Sequence, residues 1–110
     1  MERVRKLALS LPSATEKPHF DRTSFRINNK IFATAGAKPG RCVVKLSSAD
    51  REALLATHPD LFHDVGWAHQ GWTGVSFDRL SDERLSELLT AAWRQVAPAK
   101  LVKSLGPQHR

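Results

Sequence analysis

The chain has 110 residues, of which 41% are hydrophobic and 25% are charged. This length accommodates one domain, residues 1–110, and the composition is that of a soluble globular protein rather than a disordered chain. No apolar run approaches the ~20 residues that a membrane-spanning helix needs. The opening segment, residues 1–6, lacks the apolar stretch of a secretory signal. Because Cys42 is the single cysteine, an internal disulfide and a cysteine-based zinc site are excluded. We therefore expect a cytoplasmic protein without membrane association, most simply a monomer.

The charge is unevenly distributed along the chain. The total is +6, but residues 17–45 alone carry seven bases and one acid, a local charge of +6. Residues 46–93 hold eight acids and three bases, and residues 94–110 hold four bases and no acid. Such a polarised charge can attract and orient a polyanion, although it can also belong to solvated faces that keep the protein soluble.

The first thirty-five residues are predicted to form a helix, a loop and a hairpin. Apolar residues at helical spacing precede Pro12, which ends the helix because the residue before proline leaves the helical region. Residues 13–21 are expected to form a loop. Two strand-like runs, 23–27 and 30–34, flank Asn28-Asn29, a pair that tolerates the positive φ of a hairpin turn. The helical stripe consists of Val4, Leu7, Ala8 and Leu11.

The hairpin turn fixes the expected register and the two faces of its strands. A two-residue turn at Asn28-Asn29 pairs Ile27 with Lys30 and Phe25 with Phe32. Because side chains alternate along a strand, one face carries the apolar residues and the opposite face carries Arg22, Ser24 and Arg26. In the next strand, 41–46, the same alternation separates Arg41 and Lys45 from Cys42, Val44 and Leu46.

The second half is predicted to contain one further strand and three helices. Ser47 or Ser48 begins a helix through Thr57, residues 71–77 form a strand, and Ser81 begins the most regular helix. A last short helix follows Pro98. The element order α-β-β-β-α-β-α-α defines an α+β fold with one antiparallel sheet and helices packed on one face. Its core is expected to include the stripe Leu85, Leu88, Leu89, Ala92, Trp93 and Val96.

The sequence offers no catalytic or metal-binding constellation. His58, His63 and His69, with Asp60 and Asp64 nearby, could supply metal ligands, but they form no His-x₃-His helical pair and no metalloprotease signature, and no further cysteine is available. Cys42 is expected on an apolar strand face, where a thiol behaves as a small hydrophobic group. No nucleophile elbow and no glycine-rich phosphate or dinucleotide motif is present. We therefore expect no enzymatic activity, no metal and no cofactor.

The basic hairpin region combines charge with geometry. Its bases fall on the strand face opposite the core or beside the two turns, where they could form a continuous cationic surface. Phosphates bind such surfaces, and two-stranded ribbons can enter a DNA groove. The alternative is a solvated sheet face whose charges oppose edge aggregation. The candidate contacts to double-stranded DNA are Arg22, Arg26, Lys30, Lys38, Arg41 and Lys45, with Lys100 and Lys103 of the tail assisting.

A second hypothesis belongs to another functional class. Trp67, His69 and Trp72 could surround a pocket for a small ligand or a partner protein. Trp72 stands at the start of a strand, where an aromatic ring can serve either as a stacking platform or as packing. A continuous basic surface would favour the DNA hypothesis, whereas a deep aromatic pocket with neutral surroundings would favour the ligand hypothesis.

Several short motifs, in order and spacing, resemble the MmcQ/YjbR-like family over about residues 2–105. The resemblance implies a small α+β fold, CyaY-like in outline, with a "double wing" proposed to bind DNA. It implies no catalytic residues. The motifs are Leu7–Pro12 followed by Glu16, Phe25–Ala33, Cys42–Leu46 before Arg51–Leu55, Gly71–Val75, and Ala92–Pro98.

Overall fold

Six strands form one antiparallel sheet. The computed structural model describes residues 1–65 and 71–105. The strands within them are β1 (Thr15–His19), β2 (Arg22–Ile27), β3 (Lys30–Ala35), β4 (Arg41–Lys45), β5 (Phe62–Asp64) and β6 (Trp72–Ser76). Their order across the sheet is β1-β2-β3-β4-β6-β5, and every neighbouring pair is antiparallel.

Four α-helices accompany the sheet: α1 (Glu2–Leu9), α2 (Ser48–Thr57), α3 (Asp82–Val96) and α4 (Ala99–Leu105). The two expected serine caps are present. The Ser47 side chain accepts a hydrogen bond from the backbone N–H of Asp50, and that of Ser81 accepts one from Arg84. Each cap satisfies a backbone donor that the first helical turn leaves unpaired. In the described part of the chain, no helix has the length and apolar character needed to cross a membrane.

The turn between β2 and β3 is the one that the sequence predicts. Asn28 and Asn29 have φ of +49° and +66°, as a type I′ turn requires. Ile27 pairs with Lys30, as expected.

The rest of the hairpin register differs from the prediction. Phe25 pairs with Ala33 rather than Phe32, because the register shifts between Phe25 and Arg26 and gives β3 one extra residue. Such a bulge leaves one residue without a cross-strand partner and increases the local twist. Both phenyl rings are fully buried, so the apolar pattern is preserved while the simple alternation is not.

Two strands were missing from the predicted order, which is corrected to α-β-β-β-β-α-β-β-α-α. Residues 13–21 were expected to be a loop, but β1 lies within them and forms one edge of the sheet. It is polar and contains Pro18, which edge strands tolerate because one side of the ladder is unpaired. β5 has three residues and forms the other edge. The strand predicted over 71–77 ends at Ser76, and Phe77 begins a short 3₁₀ helix.

The core lies between the sheet and the helices, which confirms the α+β class with helices on one face. α3 packs on β3 and β4, and α1 packs on α3. On α3, Leu85, Leu89, Ala92 and Trp93 are fully buried. Leu88 and Val96 are half-buried at the margin of this cluster, so their expected place within the core is corrected.

Candidate nucleic-acid interface

The sheet face opposite the helices, called the outer face below, is defined by the strand register. Directly paired residues lie on the same side of an antiparallel sheet. Arg26 pairs with Ile31, Arg41 with Ser76, and Lys45 with Trp72. The alternation of side chains along each strand extends these pairs to the full set of outer-face residues. They are Thr15, Lys17, His19, Arg22, Ser24, Arg26, Ile31, Thr34, Arg41, Val43, Lys45, His63, Trp72, Gly74 and Ser76.

Charge is segregated between the two sides of the sheet. Of the six bases in the described strands, only Lys30 lies on the helix side, and both acids of those strands lie there too. The acids are bound by helical arginines: Glu16 by Arg5 of α1, and Asp64 by Arg51 of α2. The strands therefore place five basic side chains and no acidic side chain on the outer face. The five are Lys17, Arg22, Arg26, Arg41 and Lys45.

Two of the arginines are held by short polar contacts. The Arg26 guanidinium donates to Ser24 Oγ at 2.8 Å and to Asn29 Oδ1 at 3.0 Å. These acceptors are neutral, so they hold the guanidinium in place without offsetting its charge. Arg22 donates from Nε to Asp21 Oδ1 at 3.1 Å, which partly offsets its charge. Lys17 Nζ shares Asn29 Oδ1 at 3.4 Å, and the β2–β3 turn thereby organises two bases.

The remaining predicted bases fall outside the strand array. Lys30 is exposed beside the β2–β3 turn, on the helix side by its pairing with Ile27. Lys38 lies in the β3–β4 loop and lines a cavity described below. Lys100 and Lys103 are exposed on α4, which packs on the core through Leu101 and Val102. Since the core lies on the helix side, the structure does not bring Lys100 and Lys103 onto the outer face.

A cavity of about 400 Å³, called the cationic cavity below, lies at the β3–β4 loop end of the sheet. Its lining includes three bases, Arg22, Lys38 and Arg41, the imidazole of His63 and one acid, Asp64. Burial, and secondly the charge of Arg41, lower the pKa of His63, with Asp60 opposing. His63 Nε2 is 2.8 Å from Ser76 Oγ. The imidazole is therefore predominantly neutral at pH 7, and an anion bound beside Arg41 would reduce the repulsion that keeps it so.

An adjoining hollow of about 530 Å³, called the aromatic hollow below, is lined by Phe20 and Trp72. Ile31 and Thr34 of β3 and Val43 of β4 also line this hollow. Phe20 was not among the residues predicted from the sequence, because residues 13–21 were expected to form a loop. The available signal was an isolated phenylalanine between polar residues.

The aromatic residues of the alternative hypothesis are only partly within the described chain. Trp67 and His69 lie outside the described residues. Trp72 is half-buried on the outer face, with Lys45 Nζ 5.8 Å from its ring centroid. This cation–π geometry places a base beside the aromatic hollow, whose lining also holds Arg22 and Asp21 as an ion pair, so the surroundings of that hollow are charged rather than neutral.

Metal and thiol chemistry receive no geometric support in this part of the molecule. Within residues 1–65 and 71–105, no three His, Cys, Asp or Glu side chains cluster as a metal site requires. Cys42 is buried on the helix side, and burial raises the pKa of its thiol to about 12. The buried, protonated thiol is a poor nucleophile.

The fold and this face together define a class: small α+β proteins with a six-stranded antiparallel sheet, helices on one side and a basic outer face on the other. The chain belongs to the YjbR family, whose model matches residues 9–95. The crystal structure of DR2400 from Deinococcus radiodurans, which has a DUF419 domain, is similar, with a TM-score of 0.75 and 20% sequence identity. The match covers 96% of this chain and 84% of that one and shows a shared fold. No curated protein matches the chain.

Proposed function

We propose that this protein binds double-stranded DNA through the outer face, as a binding protein rather than an enzyme. The observation that carries the proposal is the segregation of strand charge: five strand bases lie on the outer face, while Glu16 and Asp64 lie on the other side, bound by arginines. Lys38 extends the basic surface at the β3–β4 loop.

Phosphates are the ligands that fit this arrangement best. Bases spread over neighbouring strands can neutralise several phosphates at once, and the released counterions make binding strongly dependent on salt. Contacts to the backbone carry no direct sequence information. We therefore expect micromolar affinity and weak sequence preference.

The test is a fluorescence anisotropy titration of a mixed-sequence duplex over a series of salt concentrations. Five phosphate contacts predict a log–log slope of about −4 to −5, at roughly −0.9 per contact. The double variant Arg41→Ala/Lys45→Ala should flatten that slope by about 2. Absence of binding at low salt, or an unchanged slope in the double variant, would contradict the proposal.

The matched control removes the same charge from the helix side. Lys6 and Arg84 are exposed on α1 and α3, so Lys6→Ala/Arg84→Ala should leave the slope within about 0.5 of the parent. Arg51 is unsuitable for this purpose. It is buried, contacts Asp64 at 3.2 Å and donates to the Trp72 carbonyl at 3.4 Å, so its removal would disturb the sheet edge.

The contribution of the tail is tested separately. Because α4 lies on the helix side, Lys100→Ala/Lys103→Ala is expected to change the slope less than Arg41→Ala/Lys45→Ala. If Lys100→Ala/Lys103→Ala flattened the salt slope as much as Arg41→Ala/Lys45→Ala, the tail would contribute equally to DNA binding.

One observation favours a second candidate function, the binding of a small ligand. The aromatic hollow has a volume within the usual range for ligand sites, roughly 300–1,000 Å³. Arg22 and Asp21 line it as an ion pair, and Lys45 beside Trp72 adds a positive charge, so its occupant would be anionic. A thermal-shift series with nucleoside monophosphates tests this candidate, which requires saturable stabilisation.

A further inference from the structure

Phe20 occupies an unusual position at the tip of the β1–β2 hairpin. Its side chain is 93% exposed, the highest exposure among the large hydrophobic residues of the described chain. Its φ of +59° lies in the left-handed region, where a bulky side chain is strained and glycine is the usual occupant of a two-residue turn. Neither the core nor the turn requires a phenyl ring at this position.

The exposed ring contacts one aromatic neighbour. The His19 and Phe20 rings meet edge to face, with centroids 4.9 Å apart. Phe20 and His19 line the aromatic hollow together with Trp72, and Ile31, Thr34 and Val43 lie between them. The hollow therefore combines aromatic side chains with a partly apolar floor on an otherwise polar sheet face.

The aromatic hollow and the cationic cavity are neighbours. Both are lined by Arg22, Thr34 and Val43. On the far side of these shared residues, Lys38, Arg41 and His63 line the cationic cavity. The surface thus offers an aromatic compartment beside a cationic one, which matches the two chemically different halves of a nucleotide.

We propose that the aromatic hollow takes an unpaired nucleobase, while the adjoining phosphate lies in the cationic cavity. Aromatic side chains stack on single-stranded bases with little regard to sequence, and basic residues follow the backbone. Within a duplex, each base is covered by its neighbours in the stack and cannot enter the hollow. The outer face therefore binds single-stranded DNA more tightly than duplex DNA of the same length.

This inference rests on the proposed function, since it assigns a preferred form of DNA to the same face. Its test compares a 20-nucleotide single strand with the corresponding blunt duplex, both fluorescein-labelled, in one buffer. The parent protein should bind the single strand about 10-fold more tightly. Phe20→Ala should weaken single-strand binding by about 5- to 100-fold, the effect of losing one stacked base, and change duplex binding less than 2-fold.

Two variants separate stacking from folding. Phe20→Gly relieves the backbone strain at φ +59°, so it should raise the Tm while losing the single-strand preference. Phe20→Trp retains a stacking ring and should keep that preference. Leu9→Ala is the control, because Leu9 is a partly exposed apolar residue on α1; its binding should equal that of the parent.

The possible results distinguish this inference from the proposed function. Equal affinity for the two DNA forms, with Phe20→Ala and Phe20→Gly unchanged, would overturn the inference and leave the duplex-binding proposal standing. Failure to bind either form would overturn both. Weaker binding of both DNA forms by Arg41→Ala/Lys45→Ala, together with weaker binding of the single strand alone by Phe20→Ala, supports both the inference and the proposed function.

Discussion

The indole Nε1 of Trp93 donates a hydrogen bond to the carbonyl oxygen of Pro12 across 2.9 Å, which joins α3 to the segment between α1 and β1. Trp93 is fully buried, so this bond satisfies the polar atom of the indole where water is excluded. The contact spans 81 residues of sequence and ties Pro12, shortly before β1 begins at Thr15, to α3.

Leu88 and Leu89, adjacent on α3, should differ in their contribution to stability. Leu89 is fully buried, whereas Leu88 is half-buried. Leu89→Ala should lower the free energy of unfolding by ~2–5 kcal/mol, because the enclosed site cannot relax around the cavity. Leu88→Ala should cost about 1 kcal/mol, since solvent reaches the vacated space. Urea denaturation of both variants measures the difference, and equal losses would place both side chains in the same environment.

The ion pair between α1 and β1 should make stability dependent on pH in the acid range. Hydrogen bonds from Arg5, and also from Thr23, lower the pKa of Glu16 below its ordinary value of 4.5, while burial opposes them. Because the pKa is lowered in the folded state, the stabilisation is present above pH 4.5 and is lost as the pH falls through the folded value. Glu16→Gln removes the titrating group and should therefore reduce the loss of stability below pH 4.5. Urea midpoints from pH 7 to pH 3 test this, and parallel curves would argue against it.

Cys42 should be unreactive in the folded protein. Its side chain is 2% exposed, and burial raises the pKa of its thiol to about 12. At pH 8 the native protein should release no thionitrobenzoate from Ellman's reagent within an hour, whereas one equivalent should appear after unfolding in guanidinium chloride. Rapid stoichiometric labelling of the native protein would show that β4 opens or that the thiol is accessible.

Gly71 should resist substitution more strongly than Gly36, although both have positive φ. A Cβ atom at Gly71 would lie 2.1 Å from the carbonyl oxygen of Leu46, while one at Gly36 would meet its nearest neighbour at 3.8 Å. Leu46 N–H also donates to the Gly71 carbonyl at 2.9 Å, so the two backbones cannot separate without losing a bond. Gly71→Ala should cost roughly 2 kcal/mol more than Gly36→Ala. Thermal melts of the pair measure this, and matching Tm values would exclude a backbone clash.

Local patterns of sequence were sufficient for much of the fold and part of the candidate site. The serine caps at Ser47 and Ser81 and the Asn28-Asn29 turn depend on residues within a few positions of one another. Strand alternation likewise assigned Arg22, Arg26, Arg41 and Lys45 to the face opposite the core, because period-two geometry holds wherever a strand forms.

Other features were decided only by the tertiary structure. β1 is polar and contains a proline, so its extended form depends on hydrogen bonds from β2 rather than on its own side chains. Arg51 is a charged helical residue, and its burial follows from Asp64 lying on a strand beside α2. Phe20 and Trp72 line one hollow because the strand order brings the β1–β2 turn and β6 into one sheet. The alternation within a single strand does not predict that order, because it arises from pairing between segments distant in sequence.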